Sequence, residues 1–230
     1  MNIEYYLCIL DFEATCWENS SNKEQMEIIE FPSVLYKITE TNNPSNATYE
    51  FISEFSEYVK PTINPQLSKF CTELTGITQD TVNAADTFEV VYCKHIKWLN
   101  TVVPYNSKFI FATCGKWDLQ IQLLRELRNK SYKPNKWYTY FIDVKKELEI
   151  FYKIKVKSMP GMLEYLQLPF IGRHHSGIDD TRNIANIMLK IIDDGHRLNN
   201  FTVYSVYSPL PIITGNISHL LWNPNYPRFI

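Results

Sequence analysis

Tyr5-Tyr6-Leu7-Cys8-Ile9-Leu10 is an unbroken apolar run rich in β-formers, the pattern of a central strand buried on both faces. Residues 28–38 (IIEFPSVLYKI) and 48–55 (TYEFISEF) read as two more strands, the second alternating like an outer, half-solvated one. The cluster Asn42-Asn43-Pro44-Ser45-Asn46 predicts the turn between them, so the chain opens as an antiparallel meander. Pro61 and Pro65 break that pattern. A short helical stretch follows near 66–74, a turn at Gly76, and a helix over about 87–99 with Val90, Val91, Cys93, His95, Ile96 and Leu99 available to its buried side. Residues 108–113 (KFIFAT) predict a short buried strand, Gly115 a turn, and 117–129 a helix. A loop is expected over 134–140, then helices near 143–152, 160–166 and 180–193, with Gly195 placed to cap the last.

Strands first, then strand and helix in alternation, is the order of an α/β sandwich: a mixed central β-sheet flanked by helices, the ribonuclease-H-like arrangement. At 230 residues, 45% hydrophobic and 21% charged, the composition is that of one globular domain. The stretch from Asn199 is rich in aromatics and proline without clear periodicity, and is expected to wrap the same core as an extension. Acidic Glu4 before the apolar run, no basic leader and no apolar stretch of roughly 20 residues predict a soluble intracellular protein without a signal peptide. Cys8, Cys16, Cys71, Cys93 and Cys114 are scattered, which argues against a zinc ribbon or a disulfide framework and for incidental thiols.

The net charge of −2 does not advertise a nucleic-acid binder, but its distribution is uneven. Residues 1–60 carry eleven acids and three lysines, whereas residues 125–157 carry ten Lys/Arg and four acids. Each run suits a solvated helix face; together they suit an acidic metal pocket beside a basic track for phosphates.

Three separated segments hold the candidate chemistry. Asp11 and Glu13 lie two positions apart at a strand end, on one face of the sheet, where they repel unless a cation bridges them. Hard oxygen ligands in an incomplete shell suit Mg2+ or Mn2+. Asp118 and Asp180 each stand at the opening of a predicted helix, and capping accounts comfortably for one of the two but not for both. His175 precedes Asp180 by five residues with Gly177 between; an imidazole titrating near neutrality can take a proton from an attacking water, and the neighbouring His174 leaves open which ring points inward.

Together these pieces resemble the DEDDh exonucleases of the DnaQ-like superfamily, with D-x-E, a second Asp, and H-x(4)-D. DFEATC at 11–16, IIEFPSVL at 28–35, INPQLSKFCTELTGITQDTVNAADTF at 63–88, GKWDL at 115–119 and GRHHSGIDDTRNIA at 172–185 resemble its Eri-type branch, that of the histone-mRNA 3′-end exonuclease. The resemblance covers roughly 5–195 and implies a DEDDh domain over 1–198 with an extension over 199–230 packed on it. It makes Asp11, Glu13, Asp118 and Asp180 the metal ligands and, through H-x(4)-D, His175 the general base.

It also implies Phe12, Ala14 and Thr15 beside the terminal nucleotide, Leu74 and Thr75 in the LTGIT turn, and Trp117 as a flat wall for the last base, a contact tolerant of any sequence. Arg173 or Arg182 is a candidate for a phosphate. The chain departs from the family at His174, usually proline, and Ser176, usually cysteine. Ser176 also stands where a DEDDy-type enzyme would have its tyrosine. With little chain before Tyr5, no N-terminal RNA-binding domain is expected, and a protein partner is one source of substrate selection.

The expectation is therefore a 3′-to-5′ exonuclease acting on RNA 3′ ends and releasing nucleoside 5′-monophosphates. Two Mg2+ or Mn2+ ions roughly 3.5–4 Å apart would serve the water and the leaving oxygen. A DNA-directed enzyme or a non-catalytic RNA-binding adaptor on the same fold are the alternatives.

Overall fold

The computed structural model describes residues 2–41, 47–208 and 210–214. The predicted turn at Asn42 to Asn46 and the stretch after residue 214 lie outside the described residues. The chain opens with β1 (Ile3–Leu10), β2 (Glu13–Ala14), β3 (Ile28–Glu40) and β4 (Ala47–Lys60). Then come α1 (Lys69–Thr75), α2 (Gln79–Ala84), β5 (Asp86–Thr87), α3 (Phe88–Val102) and β6 (Phe109–Thr113). The second half holds α4 (Leu123–Asn129), β7 (Tyr140–Asp143), α5 (Val144–Tyr152), α6 (Met159–Tyr165), α7 (Gly177–Asp193), β8 (Thr202–Ser205) and β9 (Pro211–Thr214).

Nine described strands make one mixed sheet in the order β5-β4-β3-β1-β6-β7-β8-β9, with β2 paired to β3. β1 is antiparallel to β3 and parallel to β6, and β7 is parallel to β6, so β1, β6 and β7 end at one edge. This is the ribonuclease-H-like fold expected from the element order. The period of two along β1 sorts its side chains into both layers. Tyr5, Leu7 and Ile9 pack with Leu148 of α5 and Ile184 and Met188 of α7. Tyr6, Cys8 and Leu10 pack with Val91 and Leu99 of α3 and Leu123 of α4. No described helix is long and apolar enough to cross a membrane.

The structure departs from the periodicity in four places. Residues 134–140 are not all loop: a 3-10 turn over Lys136–Thr139 leads into β7, only four residues long and almost wholly buried, too short to display a period. α2 follows the Gly76 turn and starts where the Thr78 hydroxyl accepts from Thr81 N–H. On α3, Val90 and Cys93 face out while Phe88 and Tyr92 face in, because Phe88, Tyr92 and Tyr138 form a stacked aromatic column. Past residue 199, β8 and β9 extend the sheet beyond β7; every side chain of β8 is buried, which erases the alternation that would have marked it.

Candidate active site

Beyond Leu10 the chain leaves β1 with Asp11 and Phe12 and re-enters the sheet at β2, where Glu13 is paired opposite Glu30 of β3. Asp118 lies in a π-helical turn, Trp117–Gln122, that follows β6 and leads into α4. Its Oδ1 accepts from the Phe12 N–H at 2.9 Å, tying the second acidic segment to the first. Asp180 is the fourth residue of α7, and its Oδ2 accepts from the His175 N–H at 2.8 Å. Candidate ligand oxygens of Asp11, Glu13 and Asp180 all lie within 4.8 Å of one another. The structure thus brings all five predicted residues to the edge where β1 and β6 end.

Capping explains neither helix-start acid. The N-terminus of α7 is held by Glu30, whose carboxylate accepts from Gly177 N–H at 2.9 Å and Ile178 N–H at 3.1 Å. A Cβ at Gly177 would stand 3.0 Å from the Glu30 carboxyl carbon and from Pro32, so a larger residue there would press on the carboxylate that holds the helix. Asp180 is left facing the other acids, and its Oδ1 is buried without a hydrogen-bond partner among the described residues.

Electrostatics record the crowding. Burial, then Asp118, Glu13 and Asp180, push the Asp11 carboxyl well above its ordinary range. Glu13 is raised to about 9 by burial and then by Asp180, Glu30 and Asp118. Burial lifts Asp118 to about 7 against the Phe12 N–H, and Asp180 to about 6 against the His175 N–H. A site that penalises its own negative charge in this way fits a cation, and carboxylate oxygens are the donors Mg2+ and Mn2+ prefer.

The acids floor a cleft of about 300 Å3, walled by Phe12, Ala14, Leu74, Trp117, His174 and His175 among others. Thr15 and Thr75 stand behind that wall rather than on it. Each hydroxyl is consumed by backbone, Thr15 accepting from Glu27 N–H and Thr75 bridging Cys71 O and Ile77 N–H. Both histidines reach the cleft, stacked with ring centroids 3.9 Å apart. Burial, then His174 and Arg173, lower the His175 imidazole below its usual value.

Both candidate arginines have protein partners. Arg173 donates to the Glu73 and Leu74 carbonyls, both at 2.9 Å, clamping the loop before α7 to the end of α1. Arg182 pairs with Glu54 and Asp179. Much of the basic stretch is likewise engaged, Arg125 with Glu24, Lys130 with Glu27 and Lys146 with Glu149, while Lys145 acts on Cys114 in the cleft wall.

The RNase_T family model, described as an exonuclease, matches residues 8–188. The chain belongs to this exonuclease family. Mouse 3′-5′ exoribonuclease 1 is 38% identical over 216 residues, covering 90% of this chain and 60% of the relative. ERI1 exoribonuclease 2 of Xenopus laevis is 38% identical over 206 residues, covering 83% of this chain and 29% of the relative. The chain thus spans about 60% of the length of the exoribonuclease 1 relatives. Among solved structures, the nuclease domain of 3′hExo, a DEDDh family member bound to rAMP, superposes with a TM-score of 0.74 at 39% identity, covering 83% of this chain and 92% of that one.

Within this exonuclease framework, three supporting residues escaped the sequence. Glu30 sits inside an apolar run that reads as strand. Asp143 caps α5 through Lys146 N–H and also holds Gly115 N–H, bracing the turn before Trp117. Cys16, in the cleft wall, packs on the small cluster that holds Cys71 of α1, and its nearness lowers the Cys71 thiol below its ordinary value; no spacing rule joins residues so far apart.

Proposed function

We propose that this chain is a metal-dependent 3′-to-5′ exoribonuclease that trims RNA 3′ ends and releases nucleoside 5′-monophosphates. The observation that carries it is the meeting of Asp11, Glu13 and Asp180 oxygens within 4.8 Å, with Asp118 bound to Phe12 and His175 bound to Asp180 beside them. Those four acids would hold two divalent cations, Mg2+ or Mn2+. When bound, such ions polarise a phosphodiester and acidify water.

The chain's own groups would do the rest. His175, its imidazole held neutral by burial, takes the proton from the attacking water. Trp117 and Leu74 sandwich the terminal base, Phe12 and Ala14 border its sugar, and Thr15 and Thr75 brace that wall from behind. A nearby 2′-hydroxyl distinguishes RNA from DNA at such a pocket. The relatives support RNA, being named exoribonucleases, and one solved neighbour is described as recognising a histone mRNA stem-loop. We read residues 1–198 as the catalytic domain and 199–230 as an extension packed on it, an arrangement supported by β8 and β9 joining the sheet. Five unpaired cysteines suit a reducing, intracellular compartment, and a protein partner would supply substrate selection.

Matched single-stranded RNA and DNA, labelled at the 5′ end and incubated with Mg2+, Mn2+ or EDTA, test this directly. RNA should shorten stepwise from its 3′ end with release of 5′-monophosphates, faster than DNA, and not in EDTA. Faster DNA digestion would make the enzyme a DNA exonuclease. Binding of RNA without hydrolysis would make it an adaptor, and full activity in Asp11→Ala would remove the assigned site.

A further inference from the structure

Asp180 belongs to two groups of candidate ligand atoms at once. One is the all-carboxylate group it forms with Asp11 and Glu13. The other joins it to His174 and His175, again with all ligand atoms within 4.8 Å of one another. The His174 Nε2 stands 3.9 Å from Asp180 Oδ2, and the two imidazoles are stacked with their planes 24° apart. Asp180 is only 4% exposed, and its Oδ1 is the buried oxygen without a partner among the described residues.

These two groups differ in the ions they select. Oxygen donors suit Mg2+ and Mn2+, whereas imidazole nitrogen suits Zn2+. Zinc takes His nitrogen and carboxylate oxygen at about 2.0–2.2 Å, which sets neighbouring donors about 3.3 Å apart in a tetrahedral shell. Closing the present spacing to that value is a side-chain movement, and the His174 side chain is 44% exposed, between the His175 and Phe170 rings. His175 holds its place in the group with a left-handed backbone, φ +65°.

We propose that His174, His175 and Asp180 form a Zn2+ site that switches the cleft off. Zinc accepts the lone pair of one nitrogen from each imidazole and of one Asp180 oxygen, so His175 can no longer accept a proton and Asp180 is withdrawn from the carboxylate group. No covalent bond to substrate is made, and removal of the ion by a chelator restores both residues. The inhibitory half rests on the hydrolytic reading above; the binding half does not.

The test uses the full chain, stripped of metal and then held in millimolar Mg2+ to occupy the carboxylate group. Co2+, a coloured stand-in for Zn2+, is titrated in and followed by its ligand-field absorption, then displaced with Zn2+. One Co2+ should give the intense bands of a four-coordinate site, Zn2+ should displace it, and His174→Pro or His174→Gln should weaken both ions by about tenfold or more. The glutamine variant covers the case in which proline prevents folding. In parallel, Zn2+ should inhibit RNA digestion in Mg2+, with the inhibitory midpoint raised by a similar factor in either variant, each compared with its own zinc-free rate. Equal Co2+ and Zn2+ affinities in parent and variants would overturn the site. Zinc saturation without loss of rate would overturn the switch. A His174-dependent cobalt spectrum in a protein that digests no nucleic acid would support the site while sinking the hydrolytic reading.

Discussion

Glu30 stands opposite Glu13 in the β2–β3 pairing, and its carboxylate accepts from the first two N–H groups of α7. Two buried acids side by side thus have different surroundings: the helix terminus stabilises one, and in the proposed site a cation would stabilise the other. Removing Glu30 would leave buried N–H donors unpaired, at about 1–3 kcal/mol each. Glu30→Ala should therefore lower unfolding free energy by about 2 kcal/mol or more and reduce kcat, because Asp180 and His175 ride on the end of α7 that it holds. Glu30→Gln keeps an acceptor and should fall between. Urea unfolding and steady-state kinetics measure both, and an alanine variant as stable and active as the parent would show that Glu30 positions nothing.

His175 and Asp180 separate by the kind of loss each substitution causes. Asp180→Ala should abolish turnover with the fold intact. His175→Ala should lower kcat by about a hundredfold or more, the usual contribution of a positioned general base, while leaving substrate binding near its parent value. Circular dichroism and single-turnover kinetics suffice. Parent-level single-turnover rates in purified His175→Ala would transfer the base role elsewhere, with His174 the next ring in the cleft.

The carboxylate group should also trade stability against function. Charge is disfavoured throughout the group: burial and then Asp118, Glu13 and Asp180 raise Asp11, and burial and then Asp180, Glu30 and Asp118 raise Glu13. Asp11→Asn should thus melt at a higher temperature than the parent in EDTA, by an amount on the order of 1 kcal/mol in unfolding free energy. Added Mg2+ or Mn2+ should raise the parent's melting temperature and leave that of Asp11→Asn almost unmoved. An equal metal-induced shift in both would remove Asp11 from the ligand set.

What the sequence disclosed follows from how locally each feature is written. β1 was legible because a six-residue apolar run has one good use in an α/β fold, and the five acidic and imidazole positions because they come in short ordered segments. β7 was not, since three of its four residues are buried and too few to show a period. The inward turn of Phe88 and Tyr92 was hidden because the column they join includes Tyr138, contributed from the other side of β6 in sequence. Glu30 reads as one polar residue in a strand; its task depends on a helix that begins 147 residues later. The same distance rule hides the Cys16 and Cys71 contact.

The layer behind the sheet carries its own pH dependence, centred on His95. This imidazole is fully buried, lies between Ser33 Oγ at 2.9 Å and Tyr138 Oη at 2.5 Å, and stacks on Phe31 with centroids 4.6 Å apart. Burial lowers its pKa to about 3, against about 6.5 in the unfolded chain. Because the unfolded state then binds the proton more tightly, His95 favours unfolding as pH falls below about 6.5, and the penalty stops growing once pH passes below about 3. Between pH 7 and pH 4 that amounts to about 3 kcal/mol of lost stability. Glu126, raised to about 7 by burial, acts in the opposite sense over part of this range, so the parent's curve alone does not isolate the histidine. His95→Gln does: it keeps hydrogen-bonding groups but does not titrate. It should be less stable than the parent at pH 7, where it loses the stacking on Phe31, and the gap should shrink by about 3 kcal/mol at pH 4. Urea midpoints for both proteins at the two pH values give the gap directly, and a gap independent of pH would mean that His95 does not titrate on unfolding as its burial requires.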